Sequence, residues 1–261
     1  STGSETAVGA PWFVMPTIDA AHAFELEFAR AKTRAELADL LREACALMGC
    51  AWFALSHHLD FLAAPDKGVR VHNYPEEWAY WFDQNRLGPS DPVHRASQRS
   101  RAGFLWHDMR RYDAPRPGDE TILAEAERHG IGDGLTVPAH IPGDAHGSVS
   151  FAWRPGCAAE PDALQFARMI GGAAFEAADS IANPDRMHIG PRLTNRQRQC
   201  LIRAAQGNPI WRIGRHLELS PDTVREHLRN ARQRYGVNGG TMLAVRALYD
   251  GDISFVDIAR R

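Results

Sequence analysis

Long apolar runs are missing from this chain of 261 residues. None reaches the roughly 18 consecutive apolar residues of a membrane-spanning helix, so an integral membrane role is not expected. The first residues, Ser1 to Gly9, have neither the basic nor the apolar region of a secretory signal. Cysteine is scarce, with Cys45, Cys50, Cys157 and Cys200 forming no C-x-x-C pair and no zinc-type Cys/His spacing. Cys45 and Cys50 sit in apolar stretches and read as buried thiols, which fits a reducing cytoplasm. Low-complexity and collagen-like segments are also absent. What remains is 44% hydrophobic and 24% charged, the usual range of soluble globular proteins. The length suits two small domains or one large one.

Signs of catalysis are equally thin. Of the twelve histidines, the adjacent pair His57 and His58 cannot share one helical face, and no carboxylate signature accompanies them. Ser148 and Ser150 lie outside a G-x-S-x-G elbow. No enzyme activity, metal or cofactor is expected.

The net charge of −2 hides an asymmetry. Residues 1–190 hold 17 Lys/Arg and 26 Asp/Glu, a balance of −9, whereas residues 191–261 hold 13 Arg and 6 Asp/Glu, a balance of +7. A basic end on an acidic body suggests a nucleic-acid-binding tail, against the plain alternative of accidental surface charge.

Along the chain, apolar period and punctuation predict helices over 19–31 and, after the capping box Thr33/Glu36, up to the stop at Gly49. Cys50–Ser56 and Val69–Tyr74 read as strands, Glu76–Asn85 as a helix, and Gly103–Trp106 as extended. Asp119–His129 reads as a helix. Leu135–Ile141 and Ser148–Trp153 read as strands around a Gly/Asp/His turn, before a long helix over 161–182. This order predicts an α+β fold, an α-β-α sandwich with a central antiparallel sheet. Asn183–Arg192, with two prolines and a glycine, reads as a linker. The predicted division is therefore a sensor domain over 1–182, a linker over 183–192 and a DNA-binding domain over 193–261.

In the basic segment Thr194 and Gln197 form a second capping box, with Leu193 as its hydrophobic staple. A helix ends at Gly207, and Pro209 opens another carrying Ile210, Ile213 and Leu217. Ser220 and Pro221 then start a helix to about Tyr235, with Val224, Leu228 and Ala231 as its buried stripe. Two helices joined by a short turn, the second rich in arginine, fit a helix-turn-helix within an all-α four-helix domain. Arg225 and Arg229 lie on one face, where they reach base edges or else pair with Asp222 and Glu226.

The run from Leu193 to Val237 resembles the LuxR-type helix-turn-helix at Leu193, Thr194, Arg196, Leu201, Gly207, Ile213, Leu217, Ser220, Thr223, Val224, His227, Asn230 and Val237. It departs at Gln197, where Glu is usual, at Arg212 and Gly214, where Glu and Ala are usual, and by about one extra residue near Asn238–Thr241. The resemblance implies binding of double-stranded DNA through Ser220, Thr223, Arg225, His227, Arg229 and Asn230. His227 contacts phosphate or packs.

That output domain is joined to several kinds of input domain, so residues 1–182 must be read separately. Cys50–Leu59 lacks the carboxylates of a phosphorelay receiver. Tyr74, Trp78 and Phe82 are spaced by four and would share a helical face, with Tyr80, Trp81, Phe104, Trp106 and Asp91 close in sequence. They line a small-molecule pocket, or they fill a core while Asp91 caps a turn. The series Tyr74-Pro75-x-x-Trp78, Asp91-Pro92, Trp106, Gly134-x-Thr136-x-Pro138 resembles the autoinducer-binding domain of LuxR-type quorum-sensing receptors. The resemblance spans roughly residues 24–250. It implies an N-acyl-homoserine lactone between sheet and helices. Trp78 would donate to the lactone carbonyl, Tyr74 to the acyl carbonyl, and Asp91 would accept from the ligand amide. Trp106 would form a wall, Ser150 would assist the acyl carbonyl, and Gly134 and Thr136 would lie beside the pocket. Phe53, Phe82, Val93 and Leu105 are candidate chain contacts or ordinary core. The expected protein is a cytoplasmic, ligand-responsive, homodimeric transcription regulator, with helices 161–182 and about 241–250 as candidate dimer surfaces. The alternatives are a receptor of the same type for a non-lactone molecule and an enzyme processing acyl lactones.

Overall fold

The computed structural model describes residues 16–58, 69–139, 147–182 and 192–259. The linker read over 183–192, apart from Arg192, and the turn between the last two strands lie outside these residues. The chain divides into two compact units, one ending near Pro184 and one following it.

The first unit opens with α1 (Ile18–Arg30) and α2 (Arg34–Leu47). Thr33 and Glu36 each satisfy the other's backbone N–H at the start of α2, as the spacing predicts. Gly49 ends α2 with φ of +70°, and the reversal lets the Cys50 N–H reach the Cys45 carbonyl at 2.9 Å. This brings the two sulfurs together as a disulfide, with Cα atoms 5.0 Å apart. The expectation of two separate buried thiols is corrected, and the argument it lent to a reducing compartment falls with it.

Five strands follow: β1 (Trp52–His57), β2 (Arg70–His72), β3 (Phe104–Leu105), β4 (Gly134–Ala139) and β5 (Gly147–Ala152). They form one antiparallel sheet in the order β2-β1-β5-β4-β3. Because side chains alternate along a strand, register decides which face each residue joins. One face carries Phe53, Leu55, Val71, Leu135, Val137, Val149 and Phe151, all buried. It lies under α2 and α6 (Pro161–Ala182), and α1 packs on α6. The opposite face is flanked by α3 (Glu76–Gln84), α4 (Pro92–Ser97), a 3-10 turn (Trp106–Arg111) and α5 (Asp119–Arg128). These layers make the predicted α-β-α sandwich. The sequence reading did not anticipate α4 or the 3-10 turn, each six residues long.

The second unit holds α7 (Asn195–Ala205), α8 (Ile210–Leu217), α9 (Pro221–Tyr235), α10 (Gly240–Tyr249) and the short α11 (Phe255–Ile258), one helical turn beyond the four expected. Cys200, Leu201, Ile213, Val224, Leu228, Ala231, Leu243 and Ala247 close its core. The Thr194/Gln197 capping box forms as read. A Cβ at Gly214 would stand 2.6 Å from the Leu219 carbonyl oxygen, so the turn after α8 closes tightly against a residue without a side chain.

Candidate functional site: a cavity in the sensor unit and an arginine-bearing helix

The face of the sheet opposite α6 borders a narrow cavity of about 80 Å³. Tyr74, Trp78, Phe82, Val93, Asp91, Trp106 and Ser150 all line it. Tyr74 is placed by the segment before α3, since the helix starts at Glu76, so the expected shared helical face holds only for Trp78 and Phe82. Trp78 is stacked on Trp81 at 5.4 Å and is almost fully buried. Burial, and next the Asp91 carboxylate, raise the Tyr74 phenol well above its ordinary pKa, so it stays a hydrogen-bond donor.

Asp91 serves two ends. One carboxylate oxygen accepts the His94 N–H at 2.9 Å as the N-cap of α4, which begins at Pro92. The same side chain lines the cavity. Asp91 therefore both caps α4 and borders the cavity. α4 is in turn anchored by Arg95, whose guanidinium lies 2.7 Å from Asp113 and 2.8 Å from Asp119. Burial raises these two carboxyls, but Arg95 together with Arg116, and with Arg99 beside Asp113, outweighs it and holds both below the ordinary carboxylate value.

Behind the cavity a relay of polar groups sets Ser150. The Trp106 indole N–H donates to Thr136 Oγ1 at 2.8 Å, and Thr136 Oγ1 lies 2.8 Å from Ser150 Oγ. Thr136 thus stands behind Ser150 and does not line the cavity. Gly134 does not line it either. A Cβ at Gly134 would fall 2.8 Å from the Trp106 ring and from the Phe151 carbonyl oxygen, so glycine lets the indole lie flat on β4. Leu105 and Phe53 are corrected as candidate chain contacts. Register pairs Leu105 with Leu135 and Phe53 with Phe151, which puts both on the opposite, α6-facing side.

The sequence reading passed over Ser56, Arg70, His72, His94 and Ser148, which also line the cavity. Arg70 pairs with Asp83 at 2.6 and 2.7 Å. Burial, helped by Arg70, lowers the His72 pKa to about 4, so its imidazole is neutral near pH 7. Nδ1 of His94 lies 2.8 Å from the Gly88 carbonyl oxygen, and its ring stacks on His58 at 3.9 Å. His58 Nε2 reaches Ser148 Oγ at 2.9 Å. The alternation Ala54-x-Ser56, Arg70-x-His72 and Ser148-x-Ser150 was the available signal for most of these.

In the second unit α8 and α9 are joined by Glu218, Leu219 and Ser220, with Glu218 left-handed at φ of +56°. Ser220 Oγ accepts the Thr223 N–H at 3.1 Å and so starts α9. Arg225 and Arg229 are exposed, and each is held loosely by an acidic neighbour, Asp222 at 2.5 Å and Glu226 at 3.9 Å. Exposed pairs of this kind contribute about 0–1 kcal/mol, which leaves both arginines available for exchange onto another partner. Thr223, His227 and Asn230 are half-buried along the same helix.

An aromatic-walled cavity in one unit and a helix-turn-helix in the other fit a small-molecule-responsive regulator. The model of the autoinducer binding domain matches residues 33–178, and that of the luxR family of bacterial regulatory proteins matches residues 191–247. The chain belongs to the LuxR family of autoinducer-binding, quorum-sensing transcription regulators. Its relatives include the transcriptional activator VanR of Vibrio anguillarum, 27% identical over 70% of this chain and 76% of VanR. The activator LuxR of Aliivibrio fischeri is 24% identical over 73% of this chain and 76% of LuxR. The crystal structure of Escherichia coli SdiA shares the fold, with a TM-score of 0.62 and 20% identity over 90% of this chain and 98% of that one. Among the described residues no helix is long and apolar enough to cross a membrane.

Proposed function

We propose that the cavity binds an N-acyl-homoserine lactone and that the bound state governs promoter binding by a homodimer in the cytoplasm. The observation that carries this reading is the convergence of Tyr74, Trp78, Asp91 and Ser150 on one cavity. A desolvated acyl amide needs one acceptor for its N–H and donors for its carbonyl, or burial is penalised. Asp91 supplies the acceptor. Tyr74 and Ser150 supply the donors, Ser150 when Thr136 donates to it. Trp78 donates its indole N–H to the lactone carbonyl, and Trp106 walls the ring.

Asp91→Asn tests this with little disturbance. Asparagine is as good an N-cap as aspartate, so α4 keeps its start. The amide NH₂ then faces the ligand N–H, donor against donor. The half-maximal lactone concentration in a reporter titration should rise at least about tenfold, the equivalent of ~1.4 kcal/mol. An unchanged titration sinks the assignment.

α9 enters the major groove and Arg225 and Arg229 read base edges. Because one helix spans only a few base pairs, two copies supply the specificity of a two-fold operator. The long α6 and α10 are the proposed contact surfaces between copies. Arg225→Ala should weaken binding to a cognate operator by about 1–3 kcal/mol while scarcely changing a scrambled site. Equal losses on both DNAs would reassign this arginine to the phosphate backbone.

A further inference from the structure

The floor of the cavity is made by the sheet, and its chemistry is unexpected for an alkyl chain. Register sets two rows of neighbouring side chains across it. One row runs His72, Ala54, Ser150, and the next runs Arg70, Ser56, Ser148. No leucine, valine or isoleucine stands in either row, whereas the opposite face of the same strands is built from them and phenylalanine. Buried polar groups that meet only methylenes are costly. Among the described residues Nδ1 of His72 is buried without a hydrogen-bond partner.

We propose that the cognate ligand carries a neutral hydroxyl on its tail, seated between His72, Ser56 and Ser148. This rests on the lactone reading above and specifies the class of lactone. Rows along the strands lie about 7 Å apart, and strands two places apart lie about 10 Å from each other. With the acyl carbonyl at Ser150, these groups stand well beyond the third carbon of the chain. A hydroxyl both donates and accepts, so it satisfies Nδ1 of His72 in either tautomer. A carboxylate fits less well, because Arg70 is already paired with Asp83, its Nη1 reaching both carboxylate oxygens, and His72 is neutral near pH 7.

The test titrates the purified full chain with two N-acyl-homoserine lactones of equal chain length, one ending in a methyl group and one in a hydroxyl. The hydroxyl-ended ligand should bind at least about tenfold more tightly, since a site with polar partners discriminates against a ligand that leaves them unpaired. His72→Leu and, separately, Ser56→Ala should each shrink that preference. Equal or tighter binding of the methyl-ended ligand overturns the proposal, as does a preference unchanged in both variants. Binding of neither lactone to folded protein refutes the lactone reading itself, and the proposal falls with it.

Discussion

The two faces of the sensor sheet are made from the same five strands and do opposite work. Phe53, Leu55, Val149, Phe151 and Leu135 on one face are wholly buried and packed under α2 and α6. Ser56, Arg70, His72, Ser148 and Ser150 on the other border open space. Strand alternation lets one segment supply a core and a binding surface at once, so stability and specificity are divided by parity in the sequence. The apolar face should tolerate little change in volume. The polar face should tolerate it but answer to pH and ligand.

The largest expected effect is on the packed face. Phe151→Ala removes a fully buried ring and should lower the unfolding free energy in urea by about 3–5 kcal/mol. Ser148→Ala, its strand neighbour on the other face, should cost about 1 kcal/mol, the worth of one side-chain hydrogen bond. Similar losses at both positions would erase the contrast. Next in size is the anchor of the cavity wall. Asp119→Ala removes one of the two carboxylates that hold the buried Arg95 guanidinium, leaving Asp113, and should cost about 2–3 kcal/mol in the same assay, with α4 and the Asp91 cap loosened.

A smaller effect belongs to the polar face alone. The folded pKa of His72, about 4, lies below the ordinary histidine value of about 6.5. The unfolded chain therefore takes up the proton first. The contribution is fully present above pH 6.5 and is lost as pH falls toward 4. Between pH 6.5 and 5 the apoprotein should lose about 2 kcal/mol, and His72→Gln should flatten that slope. The smallest effect lies in the second unit. Glu218 holds a left-handed conformation in the turn before α9, and Glu218→Gly should raise that unit's stability by about 0.5–1 kcal/mol. Its thermal unfolding gives the check.

Much of this architecture was legible in the chain. The capping boxes at Thr33 and Thr194, the stop at Gly49 and the Ser220-Pro221 start all announce themselves locally, because caps and left-handed turns depend on a few adjacent residues. The cavity residues Trp78, Asp91, Trp106 and Ser150 were found through their motif. For Leu105 and Phe53 the choice between chain contact and core stayed open, because apolarity marks a residue as buried without saying on which side. That side is fixed by pairing with Leu135 and Phe151, a long-range fact. His72 and Arg70 went unnoticed since β2 is only three residues long and offers a single alternation, a weak signal by itself. The Cys45–Cys50 contact depends on the reversal at Gly49, which the spacing of cysteines alone does not convey.

The central claim is that this cavity holds an intact acyl lactone. Native mass spectrometry of the full chain, produced in cells supplied with a mixture of N-acyl-homoserine lactones, tests it most directly. The account predicts one intact lactone per chain in wild-type protein and a loss of that mass in Asp91→Asn. Recovery of empty folded protein, or of a ring-opened product, would contradict it.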